Sequence, residues 1–347
     1  MVSRDNRIGG DRRTEGCMSF LLKHRELALS LIIAIMVTGI SIYAPAFATF
    51  ENAASVLNDT SILCMLALGQ MMVILTRGID LSVASNLALS GMLSASLAQN
   101  YPDLPVIAFI AVAIATGLVL GLINGSLVAW LGIPPIVVTL GTLAIFRGMI
   151  VVYGGGNQVN ASEMGDVFQS FPKVTFFGLS TIFWIMAVVA IAAWLFLSMT
   201  RVGRGLYAVG GNPVAARYCG IDLAPQQLLV YSVAGSISGL CGYLWVSRYG
   251  VAYSEIASGF ELTVIAACVI GGVSIAGGVG TVAGALLGAL FLGVIVNALP
   301  VMQITPFWQM AISGSVILAA VVVNARAEKR GVKLILPEAR LAAGAAK

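Results

Sequence analysis

Residues 104–130 read LPVIAFIAVAIATGLVLGLINGSLVAW, without one acidic or basic side chain. As an α-helix this stretch rises roughly 40 Å, enough to cross a hydrocarbon layer of about 30 Å. A helix that is apolar all round has no face to offer water, so it is surrounded by protein or by lipid. The rest of the chain decides between them. Of its 347 residues, 59% are hydrophobic and only 10% charged, against about 25% charged in soluble domains. A water-soluble fold must hydrate its surface, and this composition does not supply the polar groups to do so. The chain is read as an all-α, polytopic membrane protein.

Similar apolar runs lie on both sides of the first. They predict ten spans, at 27–47, 57–76, 81–99, 104–130, 135–153, 176–198, 228–248, 262–275, 282–299 and 307–325. The third, eighth and ninth are short or rich in Gly and Ser. The run at 27–47 is longer than a signal-peptide core and is expected to remain as the first span. With ten spans, sixteen of the 19 Lys and Arg fall on one side, in the two tails and at Arg77, Arg201, Arg204 and Arg217. Only Lys173 and Arg248 fall on the other, and Arg147 lies within a span. The positive-inside rule then puts both termini in the cytoplasm. The expected organisation is a basic cytoplasmic tail at 1–26, a membrane domain at 27–325 with a long inner loop at 200–227, and a second basic cytoplasmic tail at 326–347.

The inner loop carries its own punctuation. It contains Gly203-Arg204, then Gly210-Gly211-Asn212-Pro213, then Ala215-Ala216 and Gly220. Asn212 suits an N-cap and Pro213 the first helical position, which predicts a short helix over 214–219 lying along the inner surface. There is also an internal echo. Gly121-Leu122-Ile123-Asn124-Gly125 in the fourth span matches Gly293-Val294-Ile295-Val296-Asn297 in the ninth, five spans on. An odd separation reverses orientation, so the echo predicts an inverted repeat.

Several chemistries find no residues to carry them. No G-x-x-x-x-G-K-[ST] loop is present; the nearest run, Gly277-Gly278-Val279-Gly280-Thr281, lacks the lysine that reaches phosphates. The single histidine, His24, lies in the basic tail. Cys17, Cys64, Cys219, Cys241 and Cys268 share no C-x-x-C spacing and read as small buried hydrophobes rather than metal ligands. No enzyme activity, cofactor, metal or nucleic-acid partner is expected. Polar groups at membrane depth remain. Asp80 reads either as a cap for the third span or as part of a polar pathway or inner gate, with Arg77 as a neighbouring counter-charge. Arg147 reads either as snorkelling outward or as lining the solute path. Asn124 and Asn297 read either as interhelical glue or as path-lining groups. Gly117, Gly121 and Gly125 form a small-x-x-x-small ridge for close helix packing.

Four stretches carry a resemblance. Thr76-Arg77-Gly78-Ile79-Asp80-Leu81-Ser82-Val83 resembles the T-x-G-I-D-L-S-V segment of permease subunits from ribose-type monosaccharide ABC importers. Residues 133–142, Ile-Pro-Pro-Ile-Val-Val-Thr-Leu-Gly-Thr, resemble their I-P-x-x-x-x-T-L-x-x stretch. Residues 204–213 resemble their G-R-x-x-Y-A-x-G-G-N inner loop, and Gly259-Phe260-Glu261-Leu262 with Val269-Ile270-Gly271-Gly272-Val273-Ser274 resembles G-x-E-L followed by V-V-L-G-G-T-S. The matches run in order over about residues 55–325. The same fold serves branched-chain amino-acid permeases, and an ion-coupled secondary transporter is the rival from another class. The resemblance implies a multi-pass protein of the bacterial inner membrane that moves a monosaccharide by alternating access. It implies a cytoplasmic ABC ATPase subunit, a periplasmic sugar-binding protein, a second permease copy or paralogue, and membrane lipid as partners. It also implies an ATPase-docking role for the inner loop: Gly203, Arg204, Asn212, Pro213, Ala215, Ala216 and Gly220, with Ala216 facing the partner.

Overall fold

The computed structural model describes residues 25–305 together with positions 308, 311, 314, 315, 318 and 322. Most of the expected tenth span, 307–325, lies outside them. Between residues 25 and 305, twelve α-helices follow one another: α1 (Arg25–Tyr43), α2 (Phe50–Leu75), α3 (Val83–Asn100), α4 (Val106–Ala129), α5 (Pro135–Gly154), α6 (Gly165–Ser170), α7 (Thr181–Met199), α8 (Arg201–Gly211), α9 (Pro213–Tyr218), α10 (Leu223–Tyr249), α11 (Phe260–Ile270) and α12 (Val282–Val301). Two antiparallel strand pairs, two residues long, join Val159 to Ala252 and Thr175 to Ser180.

Among the described residues, seven helices are long and apolar enough to cross a membrane: α1, α2, α4, α5, α7, α10 and α12. Two of the three weak spans depart from that standard. The third, α3, contains Ser85, Asn86, Ser90 and Ser94, and all four are buried; the helix is sheathed by protein and need not meet lipid. The eighth, expected over 262–275, holds a shorter helix than expected. Its helix α11 ends at Ile270 after 11 residues, a rise of roughly 16 Å, about half of the hydrocarbon thickness. Gly271-Gly272 breaks it there, with Gly272 at φ +88°, and the chain continues without helix to α12. The ninth span, by contrast, is the complete helix α12 of 20 residues. The sixth begins later than 176, because a hairpin precedes Thr181.

Helix α10 runs through the centre and packs on α2, α3 and α4. Small residues permit the approach. A Cβ on Gly239 or Gly242 would fall within 3.0 Å of the carbonyls of Ala113 and Leu87. The ridge of Gly117 and Gly121 meets Gly235 and Tyr231 of α10 in the same way, so helix packing accounts for it. Helix α2 is buried from Thr60 to Leu75 without interruption. Helices α1, α5 and α7 instead expose apolar side chains such as Ile42, Val137, Val152 and Val188, a surface suited to hydrocarbon.

The connections gather into two sets. At one end the chain after α2 meets the end of α8 and the turn before α12, where Gly278 N donates to Leu75 O at 3.0 Å. At the other, Arg248 pairs with Asp59 and donates to Asn58 O at 2.9 Å. There Tyr243 and Ser247 also both donate to Phe168 O.

Candidate functional site

The 200–227 region forms two helices rather than one. Thr200 caps α8 by accepting from Gly203 N at 2.9 Å. Helix α8 buries Gly203, Leu206, Val209 and Gly210 while Arg201 and Arg204 stay exposed, with Arg204 donating to Ser198 O at 3.2 Å. A Cβ on Gly203 would fall within 3.0 Å of the Phe196 carbonyl, so this glycine is needed for seating α8 under α7.

Asn212 then caps α9, accepting from Ala215 N at 3.0 Å, and Pro213 occupies the first helical position. Helix α9 ends on Gly220 at φ +77°. Ile221 N donates to Ala216 O and Gly220 N to Arg217 O, the paired closure of a Schellman motif. One expectation is corrected here. Ala216 is only 5% exposed, whereas Val214 is 66% and Tyr218 90% exposed. Ala216 is seated against its own chain, and the free face of α9 is Val214, Ala215, Arg217 and Tyr218. A cleft of about 830 Å³ lies beside it, lined by Val128, Pro213, Val214, Tyr218 and Leu223 among others. The Arg217–Asp222 pair at its rim, 3.5 Å apart, is solvent-exposed and worth little.

Arg77 does not pair with Asp80. It donates from Nε to Gly210 O at 2.6 Å and from Nη2 to Gly211 O at 2.9 Å, which places it on the end of α8. Tyr207 adds a second tie, donating to Gly280 O at 3.1 Å.

Asp80 turns inward and is 3% exposed. Its Oδ1 accepts from Ser82 N at 2.8 Å and from Ser82 Oγ at 2.6 Å. It shapes the turn that starts α3 rather than capping the helix directly, since Ser82 holds the cap position. Burial pushes the Asp80 carboxyl above its ordinary range, and the two Ser82 bonds pull the other way. Asn124 joins this group, donating to Ser82 Oγ at 2.8 Å from a fully buried position on α4. Thr139 of α5 donates to Ile79 O at 3.1 Å. The Gln70 amide, oriented to satisfy the network, brackets the Asp80 backbone at 3.2 and 3.1 Å. Helices α2, α3, α4 and α5 thus all grip the connection 76–82.

The other two candidates lie elsewhere. Arg147 donates from Nη1 to Ser254 O at 2.5 Å and to Ile256 O at 2.8 Å, tying α5 to the loop before α11. Asn297 donates to Gly293 O of its own helix at 2.9 Å and does not join Asn124. Cys64, Cys241 and Cys268 are buried and Cys219 is exposed.

Sequence reasoning left one region without a role. At the end opposite α9, two clefts of about 590 and 370 Å³ share Asn157 and Gln158. Gln99, Asn100 and Glu163 line the larger, Tyr253 and Ser254 the smaller. The polar run Gly154-Gly155-Gly156-Asn157-Gln158 was the available signal, but amides in a loop are ordinarily solvated, and only the fold brings Gln99 beside them.

Comparison with known proteins gives a consistent result. Residues 52–321 match the family described as "Branched-chain amino acid transport system / permease component". The ribose import permease protein RbsC of Escherichia coli is 38% identical over 308 residues, covering 88% of this chain and 94% of the relative. The galactose/methyl galactoside import permease protein MglC of Haemophilus influenzae is 34% identical over 86% of this chain and 94% of its own. The autoinducer 2 import system permease protein LsrC of Klebsiella pneumoniae is 37% identical over 89% of each. No solved structure matches the chain.

Proposed function

The chain belongs to the family of branched-chain amino acid transport system permease components, and from that membership we propose that it is the membrane-spanning permease subunit of an ATP-driven monosaccharide importer. It is a multi-pass protein of the bacterial inner membrane. The observation that carries the substrate class is the near end-to-end match to a ribose import permease. Relatives named for galactose and autoinducer 2 import point the same way, towards small polyhydroxyl solutes. The amide-lined outer clefts suit such a cargo, because neutral amides both donate to and accept from hydroxyl groups.

The chain supplies the path, and a cytoplasmic ABC ATPase supplies the energy. We place the docking surface on α9, with Val214, Ala215 and Tyr218 as the contact face and Asn212, Pro213 and Gly220 holding the helix in shape. Gly203 and Arg204 belong to α8, which links α9 to the spans. A periplasmic sugar-binding protein delivers solute to the outer clefts, and a second permease copy or paralogue packs on an exposed apolar helix face within the lipid. The sidedness of basic residues supports cytoplasmic tails at both ends and ten crossings, the eighth made by α11 together with the non-helical chain that follows it to α12. ATP closes the ATPase dimer, α9 follows, and the path opens to one side at a time. The test is co-purification of the ATPase with the permease, followed by ATP-dependent monosaccharide uptake in proteoliposomes. Failure to recruit an ATPase would overturn the reading.

A further inference from the structure

Arg77 is one of the non-glycine residues with positive φ among the described residues, at 65°. A side chain in this left-handed region is crowded against its own backbone, so the conformation persists only where its surroundings hold it. The surroundings here are the last carbonyls of α8. Arg77 Nε and Nη2 donate to Gly210 O and Gly211 O at 2.6 and 2.9 Å. These are acceptors that the helix itself leaves unpaired, and the negative end of the helix dipole adds attraction for a cation.

On its other flank Arg77 is close-packed. Gly277, at φ +87°, lies so near that a Cβ would come within 2.5 Å of Arg77 Cγ, and a Cβ on Gly278 would strike Gly211. Gly278 N in turn donates to the carbonyl of Leu75, two residues before Arg77. The end of α2, the end of α8 and the turn before α12 therefore converge on one residue, Arg77. Three residues further along the chain lies Asp80, gripped by Ser82 and Gln70. Arg77 stands at the open position of the T-x-G-I-D-L-S-V pattern.

We propose that Arg77 is a positioning residue for transport: it keeps the connection 76–82 in its strained form only while the α8 carbonyls lie against it, and so converts a shift of α8 and α9 into a backbone change at the inner mouth. The inference rests on the reading of α8 and α9 as the segment an ATPase moves. When that segment withdraws, two charge-assisted hydrogen bonds are lost together and Arg77 relaxes to negative φ. When it returns, the strained form is restored. Close packing around Gly210, Gly277 and Gly278 favours a switch between packed arrangements over a graded slide.

The test uses the permease assembled with its ATPase and binding protein in proteoliposomes, as wild type, Arg77→Lys and Arg77→Ala. Arg77 is not on the free face of α9, so ATPase recovery and ATP hydrolysis stay near wild-type values. Solute imported per ATP falls on the order of tenfold in Arg77→Ala, within the usual range of site–site coupling. Arg77→Lys keeps the charge but not the fork, and lies between. Wild-type import per ATP in Arg77→Ala overturns the proposal, as does a parallel loss of ATPase recovery and import. If Arg77→Ala does not reach the membrane, unchanged import per ATP in Arg77→Lys overturns it. Amide hydrogen exchange on the isolated permease separates this inference from the functional reading. Arg77→Lys should speed exchange in both 79–82 and 201–211 whatever the complex carries; exchange unchanged over 201–211 contradicts the strut. A wild-type complex that imports nothing, with exchange altered in both segments, overturns the functional reading and leaves the strut standing.

Discussion

Gly117 of α4 and Gly235 of α10 each lie so close to the other that a Cβ on either would fall within 3.0 Å of its partner's carbonyl oxygen. The contact is backbone to backbone, and no flexible side chain is available to yield. In lipid, where helices gain no hydrophobic driving force from meeting, such close approach supplies the packing energy. Gly235→Ala should overpack this contact and cost about 1–3 kcal/mol. Gly141, on α5, has nothing within 4 Å of its Cβ position. Thermal denaturation in detergent should show a lower midpoint for Gly235→Ala and an unchanged one for Gly141→Ala. Equal midpoints would show that the α4–α10 contact is not tight.

The cap on α9 is the next point of test. Asn212→Ala removes the bond to Ala215 N and should destabilise the helix by about 1 kcal/mol. Asn212→Asp keeps the acceptor and should behave as wild type. Membrane levels should stay constant, with uptake and ATPase recovery several-fold lower in Asn212→Ala alone. Equal loss in both variants would mean that the amide contacts something other than its own helix.

The two faces of α9 predict opposite failures. Val214→Glu places a charge on the free face and should reduce ATPase recovery while the permease itself accumulates normally. Ala216→Glu buries a charge inside the permease, a cost of several kcal/mol, and should lower the amount of folded permease. Immunoblotting of membranes alongside ATPase co-purification distinguishes them. Normal accumulation of Ala216→Glu with lost ATPase would reverse the assignment of faces.

Much of this was legible in the residues, and the exceptions have physical causes. The apolar runs marked the spans because lipid imposes length and composition together. The punctuation Asn212, Pro213 and Gly220 marked α9 because caps act locally. Which face of α9 is free depends on how α8 seats under α7, and no local signal encodes that. Gly210-Gly211 read as part of the inner loop, yet both residues form the last turn of α8; a Cβ on Gly210 would strike Leu75 O and Gly278 N, whereas Gly211 has open space around its Cβ position. Arg77 was recognised as an inner charge, but its partners lie 133 and 134 residues away. Two readings were left open for Arg147, and its carbonyl partners, Ser254 and Ile256, lie 107 and 109 residues away, beyond the reach of any local signal. The matching Asn124 and Asn297 diverge because α4 packs against the connection 76–82, whereas Asn297 bonds back to its own helix.

Arg147 anchors the chain before α11 through two carbonyls. Hydrogen bonds from a charged donor contribute about 1.5–3 kcal/mol, so Arg147→Ala should loosen residues 253–258 without unfolding the spans. Limited proteolysis at this loop should accelerate in Arg147→Ala and less so in Arg147→Lys. Unchanged proteolysis would place the residue's role outside the loop.

On the proposed function, this chain moves a neutral monosaccharide at the expense of ATP hydrolysed by a partner. This is tested most directly by co-expressing the permease with its ATPase and binding protein in cells lacking their own importers, then measuring uptake of radiolabelled ribose, galactose and leucine with an active and an inactivated ATPase. The expected result is uptake of a monosaccharide, lost when the ATPase is inactivated. Uptake of leucine with no monosaccharide, or sugar uptake that persists with the inactive ATPase, would contradict it.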